Sequence, residues 1–208
     1  NKALVGCHNH PSATDIKEAI QMSCNPYFHQ VFKRLINKGY SKNYFEDSAL
    51  GLDEWSKKVD AFGLGKRLAL DLPNLKAGSI PDVSLYDRIY GHNRWAFSTI
   101  YSVSIGQGEL EVVPLQMANL AATIANRGYY NDPHLIKSMH GTYDTTLHVN
   151  QHSTHIDAQY YEPIIEAMNW VVEKPGGTAR RAKIEGIEVC GKTGTAENPH
   201  GEDHSVFI

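Results

Sequence analysis

The sequence predicts a mixed α/β (α+β) fold, and three observations lead there. Apolar residues recur at helical spacing in several separate windows, as at Phe28, Val31, Phe32, Leu35 and Ile36. One apolar, partly β-branched run, Ile187 to Thr195, reads as a strand. Hydrophobic residues make up 41% of the chain and charged ones 21%, a balance that buries a core and is far from a disordered composition.

Taken in order, Thr14 and Asp15 are cap candidates. Asp15 with Glu18 forms a D-x-x-E capping box before Ile16, Ala19, Ile20 and Met22, so a short helix is expected to end at Ser23. Pro26 suits the first turn of a second helix that runs to Gly39, which makes Ser23-Cys24-Asn25 a tight junction between the two. A third helix is expected from Leu52 to Phe62, and residues 66–98, punctuated by Pro73, Gly78, Pro81 and Gly91, read as loop. Ile105-Gly106-Gln107-Gly108 is a glycine turn, after which Pro114 opens a helix that closes at Asn126-Arg127-Gly128. Residues 129–157 are polar and His-rich and read as a strand followed by an exposed excursion, with His148, His152 and His155 in solvent. A helix from Ala158 to Glu173 ends at Lys174-Pro175-Gly176-Gly177. Cys190, alternating with apolar neighbours, is expected in the core, and Trp55, Trp95 and Trp170 read as packing residues.

The 208 residues carry 20 Lys+Arg against 23 Asp+Glu, a formal charge of −3, so the basic excess of a nucleic-acid binder is missing. No stretch approaches the roughly 20 apolar residues of a spanning helix. Three cysteines, Cys7, Cys24 and Cys190, are too few for a disulfide framework. The start at Asn1 and the strand-like finish Ser205-Val206-Phe207-Ile208, read as the beginning of a buried strand, lead us to expect a piece cut at both ends.

Two short signatures stand out: Ser23-Cys24-Asn25 and, 169 residues later, Lys192-Thr193-Gly194-Thr195. Taken alone, the first reads equally well as a polar helix junction and the second as a strand with an exposed lysine. Gly186 to Thr193 also spells G-x-x-x-x-G-K-[ST], the nucleotide-binding P-loop. Its context is inverted: strand-like residues stand where the loop belongs, and Gly194, Asn198, Pro199 and Gly201 oppose the helix that must follow. Together the two signatures fit a serine acyl-transfer site. A peptide ending in a carboxylate needs a cation and hydroxyls, which Lys192, Thr193 and Thr195 offer. It also needs an edge strand to align it and a proton relay such as the Ser23 hydroxyl. The Asn25 amide can both donate and accept, and Gly194 admits substrate close to the backbone.

With Gly65 to Pro73, Ser104 to Gly108, Pro114 to Ala118, Gly176 to Ala179 and His204 to Ile208 in matching order, the chain resembles the transpeptidase domain of the class B, elongation-type penicillin-binding protein 2 family. Ser23-Cys24-Asn25 and Asn198 to Gly201 resemble its Bacteroidetes-type version. The resemblance covers residues 1–208 as a partial transpeptidase domain. It implies an antiparallel sheet flanked by helices and a peptidoglycan D,D-transpeptidase that is acylated by β-lactams. It also implies Ser23, Asn25 and Lys192 as catalytic residues and Thr193, Gly194 and Thr195 as substrate-binding ones, with the Thr195 N–H as half of the oxyanion hole. The implied partners are a stem peptide ending in D-Ala-D-Ala, β-lactam antibiotics and an elongation-complex glycosyltransferase. The implied location is the periplasmic face of the inner membrane, through an N-terminal anchor outside these residues. The sequence departs from the family at one point: none of its 13 serines has Lys three positions later, so the S-x-x-K nucleophile is expected elsewhere. The last strands and helix are expected to be absent too. These residues alone are accordingly expected neither to bind penicillin nor to fold stably.

No cofactor is required for this chemistry. Cys7, His8, His10 and Cys24 nevertheless offer a donor set for a structural zinc, an expectation the family resemblance shares. Three other functions remain open at this point: a D,D-carboxypeptidase, a β-lactamase or penicillin sensor of the same fold, and a catalytically silent interaction domain.

Overall fold

A computed structural model describes residues 6–7, 9–136, 150–198 and 200–208. The helices are α1 (Ile16–Gln21), α2 (Asn25–Ile36), α3 (Tyr44–Asp60), α4 (Val83–Tyr90), α5 (Phe97–Ile100), α6 (Pro114–Ala125) and α7 (Glu162–Glu173). The strands are β1 (Tyr129–Asn131), β2 (Gln151–Ser153), β3 (Thr193–Ala196) and β4 (His204–Phe207), paired antiparallel as β1–β2 and β3–β4. The α+β reading holds, with the sheet divided into two small hairpins among the described residues.

Helix α2 borders both cores. Its Phe32 and Ile36 enter a cluster with Leu52, Tyr86, Trp95 and Phe97, while Phe28 packs against a second cluster built on Ile20, Ala167, Met168 and Val171. The second cluster joins α1 to α7, helped by an ion pair between Lys17 and Glu166 at 3.1 Å. Trp55 and Trp95 are packing residues as expected, and the Trp95 ring N–H donates to Asp87 at 2.7 Å.

Several boundaries differ from expectation for local reasons. Helix α3 starts at Tyr44, eight residues before Leu52, because the Asn43 side chain caps it by accepting the Phe45 N–H at 3.0 Å. Gly51 lies inside the helix at a close crossing. A Cβ there would collide with the Ile36 carbonyl of α2. The stretch expected to be loop contains α4, capped by Asp82 through the Leu85 N–H at 2.8 Å and ended by Gly91 in the left-handed region at φ 92°. The loop before α4 is tied down by buried Gln116, whose amide donates to the Lys66 and Ala77 carbonyls at 2.8 and 2.7 Å.

The run Ile187 to Thr195 is a strand only from Thr193. Lys192 and Ile208 exchange backbone hydrogen bonds beside β3 and β4, and among the described residues no strand pairs with 188–191. Within that segment Val189 reaches the second core cluster, whereas Cys190 is exposed and Ile187 is 59% exposed, which corrects the expectation of a buried Cys190. Strand β4 forms where expected but is exposed along its length rather than buried, since β3 is its one neighbour among the described residues. His152 pairs with Asp132 at 2.7 Å and stacks on Tyr130 in the β1–β2 hairpin, while its side chain stays 43% exposed. His155 is exposed, and His148 lies outside the described residues.

Candidate active site

Helix α7 is the platform that brings the two signatures together. On one side α1 packs against it. On the other, the chain folds back after Gly177, where a Cβ would strike the Val171 carbonyl, and the Ala179 N–H donates to that carbonyl at 3.0 Å. The Gly191 N–H then donates to the Met168 carbonyl at 3.1 Å, which sets the start of β3. Gly191 is needed there because a side chain would run into the Phe207 ring.

The Ser23 turn closes α1. The Ser23 N–H donates to the Ile20 carbonyl at 3.2 Å and the Cys24 N–H to the Ala19 carbonyl at 2.9 Å, the double-bonded helix ending that usually places glycine at its left-handed position. Here that position is Ser23, at φ 56°. A serine in this region is strained by its Cβ, and such strain tends to persist where the side chain has work to do.

The Lys192 ammonium donates to the Ser23 hydroxyl at 2.9 Å, across 169 residues of sequence, and to the Thr193 carbonyl at 2.7 Å. Burial holds its pKa down at about 8, against an ordinary 10.5. Beside it the Thr178 and Thr193 hydroxyls are 2.8 Å apart. These groups line a cleft of about 720 Å³ that also takes in Asn25, Gly194, Thr195, Ser104 and Gln107. Asn25 opens α2 and donates one side-chain N–H to the Gly6 carbonyl at 3.0 Å, which leaves its second N–H and its side-chain oxygen to meet a ligand.

Strand geometry decides which backbone groups face the cleft. Lys192 and Ile208 form a hydrogen-bonded pair, so in an antiparallel ladder Gly194 and Val206 form the next one. Thr193 and Thr195 therefore turn their N–H and C=O groups away from β4, toward the free edge. The Lys192 ammonium occupies the Thr193 carbonyl and the Gln107 amide occupies the Thr195 carbonyl, the latter at 2.9 Å. Among the described residues Lys192 is followed by strand β3, where a P-loop requires a helix, which removes the P-loop reading.

All six residues expected at the acyl-transfer site thus line one cleft. Thr178, Ser104 and Gln107 were not among them. The Gly-Gly-Thr and Gly-Gln-Gly segments that carry two of them are visible in the sequence, but only as part of a resemblance and as a turn.

The sequence profile of the penicillin binding protein transpeptidase domain matches residues 1–206. The chain belongs to this transpeptidase family. Among its relatives, the peptidoglycan D,D-transpeptidases MrdA of Acinetobacter baumannii and Haemophilus influenzae are each 30% identical to it, over 88% of the chain and 25% and 26% of their own lengths. The chain therefore spans about a quarter of these relatives. Pseudomonas aeruginosa PBP2, solved in complex with WCK 5153, superposes with a TM-score of 0.71 at 25% identity, over 92% of this chain and 38% of that one. A chain solved in a study of coordinated polymerization and crosslinking by a peptidoglycan synthase complex superposes at 0.69 with 28% identity, over 88% of this chain and 28% of that one. Helicobacter pylori PBP2, solved with MreC, shares the fold at a TM-score of 0.71 and 20% identity, over 93% of this chain and 33% of that one.

Beside the cleft, next to Ser23 and Asn25, Cys7 Sγ, His10 Nε2 and Cys24 Sγ lie within 4.8 Å of one another. Donors around a tetrahedral zinc stand about 3.3–3.8 Å apart, given bonds of about 2.0–2.3 Å, so small movements accommodate an ion. The His10 Nδ1 lies 2.6 Å from the Pro11 carbonyl, which favours the tautomer with Nε2 free to ligate. His8, the fourth expected donor, lies outside the described residues.

Proposed function

We propose that these residues form the S-x-N and K-T-G side of a peptidoglycan D,D-transpeptidase site. The observation that carries the reading is the 2.9 Å contact between the Lys192 ammonium and the Ser23 hydroxyl, beside a free strand edge that can align an extended peptide. The nucleophile, which no serine here supplies as S-x-x-K, comes from sequence outside these 208 residues. Its Oγ attacks the penultimate D-Ala carbonyl of a stem peptide, an ester forms, and the terminal D-Ala leaves as a protonated amine. An amine of a second stem then attacks the ester, forms the crosslink and frees the serine. β-Lactams stop the cycle at the ester, because ring opening leaves no departing group.

In this scheme Lys192 and the Thr193 and Thr195 hydroxyls hold the substrate carboxylate. Gly194 lets the peptide lie against β3, and the Thr195 N–H is one oxyanion donor. Ser23 passes a proton toward the leaving nitrogen, and Asn25 meets the ligand's amide carbonyl with its second side-chain N–H. Among the described residues no helix is long and apolar enough to cross a membrane. A periplasmic location at the inner membrane, by an anchor elsewhere in the protein, and a glycosyltransferase partner follow from the family reading. The synthase complex of a structural relative, in which polymerization and crosslinking are coordinated, supports the partner.

The test is to react the complete protein with a labelled penicillin and map the modified peptide by mass spectrometry. A label on an S-x-x-K serine outside these residues is expected, and a folded protein that takes no label overturns the proposal.

The pH dependence follows from the depressed Lys192 pKa. Below pH 8 the side chain is an ammonium and attracts the ligand carboxylate; above it that attraction fades. The second-order acylation constant is therefore expected to fall as pH rises through about 8. Lys192→Arg, which keeps its charge, removes that limb. A limb unchanged in this variant assigns it to another group.

Cys7, His10 and Cys24 would hold a zinc ion that cross-links the chain before α1 to the Ser23-Cys24-Asn25 turn, a structural rather than chemical contribution. Elemental analysis of the complete protein is expected to find about one zinc per chain, and Cys24→Ser to remove it with a fall in melting temperature. Metal-free protein as purified from zinc-replete cells ends the idea.

A further inference from the structure

The transpeptidase reading leaves one contact at the free edge of β3 unexplained. An extended ligand adding to that edge must give its N–H to the Thr195 carbonyl and take the Thr195 N–H on its own carbonyl. The Thr195 carbonyl is already taken by Gln107, whose side-chain amide crosses the cleft to reach it at 2.9 Å. Gln107 sits between Gly106 and Gly108, both left-handed at φ 78° and 76°. Its own N–H is anchored to the Ser102 carbonyl at 3.2 Å, so the turn is held from behind while its tip faces the cleft. Among the described residues, nothing lies within 4 Å of where a Gly106 Cβ would stand.

We infer that the Gln107 carboxamide is a stand-in for the substrate's backbone amide: it holds the Thr195 acceptor in the free enzyme and is displaced by the N–H of an extended acyl ligand. The inference rests on the transpeptidase reading and adds to it a residue that sets ligand preference. A ligand that brings an amide N–H exchanges one hydrogen bond for another. A ligand without one has no claim on the Thr195 carbonyl and leaves Gln107 in place.

The experiment compares two β-lactams on the complete protein: an acylamino penicillin, which carries that N–H, and a carbapenem, whose hydroxyethyl group does not. Removing the competing donor in Gln107→Ala is expected to raise the penicillin acylation constant by about two- to tenfold, the worth of one net hydrogen bond, with the carbapenem constant unchanged. Gln107→Met, which keeps the length of the side chain but has no donor, is expected to do the same and decides the matter if the alanine variant does not fold. Equal effects on the two ligands, no effect, or slower penicillin acylation overturns the inference while leaving the transpeptidase reading intact. A wild-type protein that takes no label overturns both.

Discussion

In the complete protein, Lys192→Ala is expected to slow acylation by a labelled penicillin by about 10²- to 10³-fold, the usual effect of losing one preorganised donor to developing charge. The melting temperature is expected to hold. The two outcomes separate because the ammonium is a functional asset and a structural cost. Burial pulls its pKa down to about 8, so the folded protein holds the charge less readily than water does. Among the described residues its partners are neutral oxygens, those of Ser23 and Thr193, and no carboxylate lies within ion-pair distance. A ligand carboxylate supplies the missing countercharge, so the interaction that the free enzyme lacks becomes available on binding. Alanine removes that attraction along with the desolvation cost. Acylation within about threefold of wild type would remove Lys192 from the site, and a large fall in melting temperature would make the lysine a structural residue instead.

How far the sequence reveals this arrangement depends on the range of the interactions involved. Helix α2 is legible because Phe28, Phe32 and Ile36 follow from local spacing, and both cores use that face. The start of α3 is not, because Gly51 breaks the pattern and its reason lies on another helix, at the Ile36 carbonyl. The exposure of Cys190 is hidden for another reason: alternation tells which residues share a face but not which face meets the core, and it is Val189 that reaches the second cluster. The meeting of Ser23 with Lys192 cannot be read from spacing at all, since it is made by α7, which grips α1 and the Gly191 N–H at once. Motif resemblance supplied that pairing. Gln107 is missed by both routes, because a glycine turn announces its backbone and says nothing of where the side chain between the glycines will reach.

The second large effect concerns the residue whose backbone and side chain want different things. Ser23→Gly is expected to lose about 10²- to 10⁴-fold in acylation, the range of a positioned proton-transfer group, without losing stability. The left-handed turn at φ 56° costs an L-residue about 1–2 kcal/mol, and glycine escapes that cost while giving back about 0.5–1 kcal/mol of chain entropy. Ser23→Ala is the matched control. It removes the same hydroxyl and keeps the same strained Cβ, so it is expected to match the glycine variant in acylation and to melt below it. Wild-type acylation by the alanine variant would end the proton-relay role of the hydroxyl. A glycine variant that melts below the alanine variant would show that the turn is held by something other than the helix ending described above. With both expectations met, the serine is kept for its oxygen, which the turn aims at the Lys192 ammonium at the expense of the backbone that glycine would suit better.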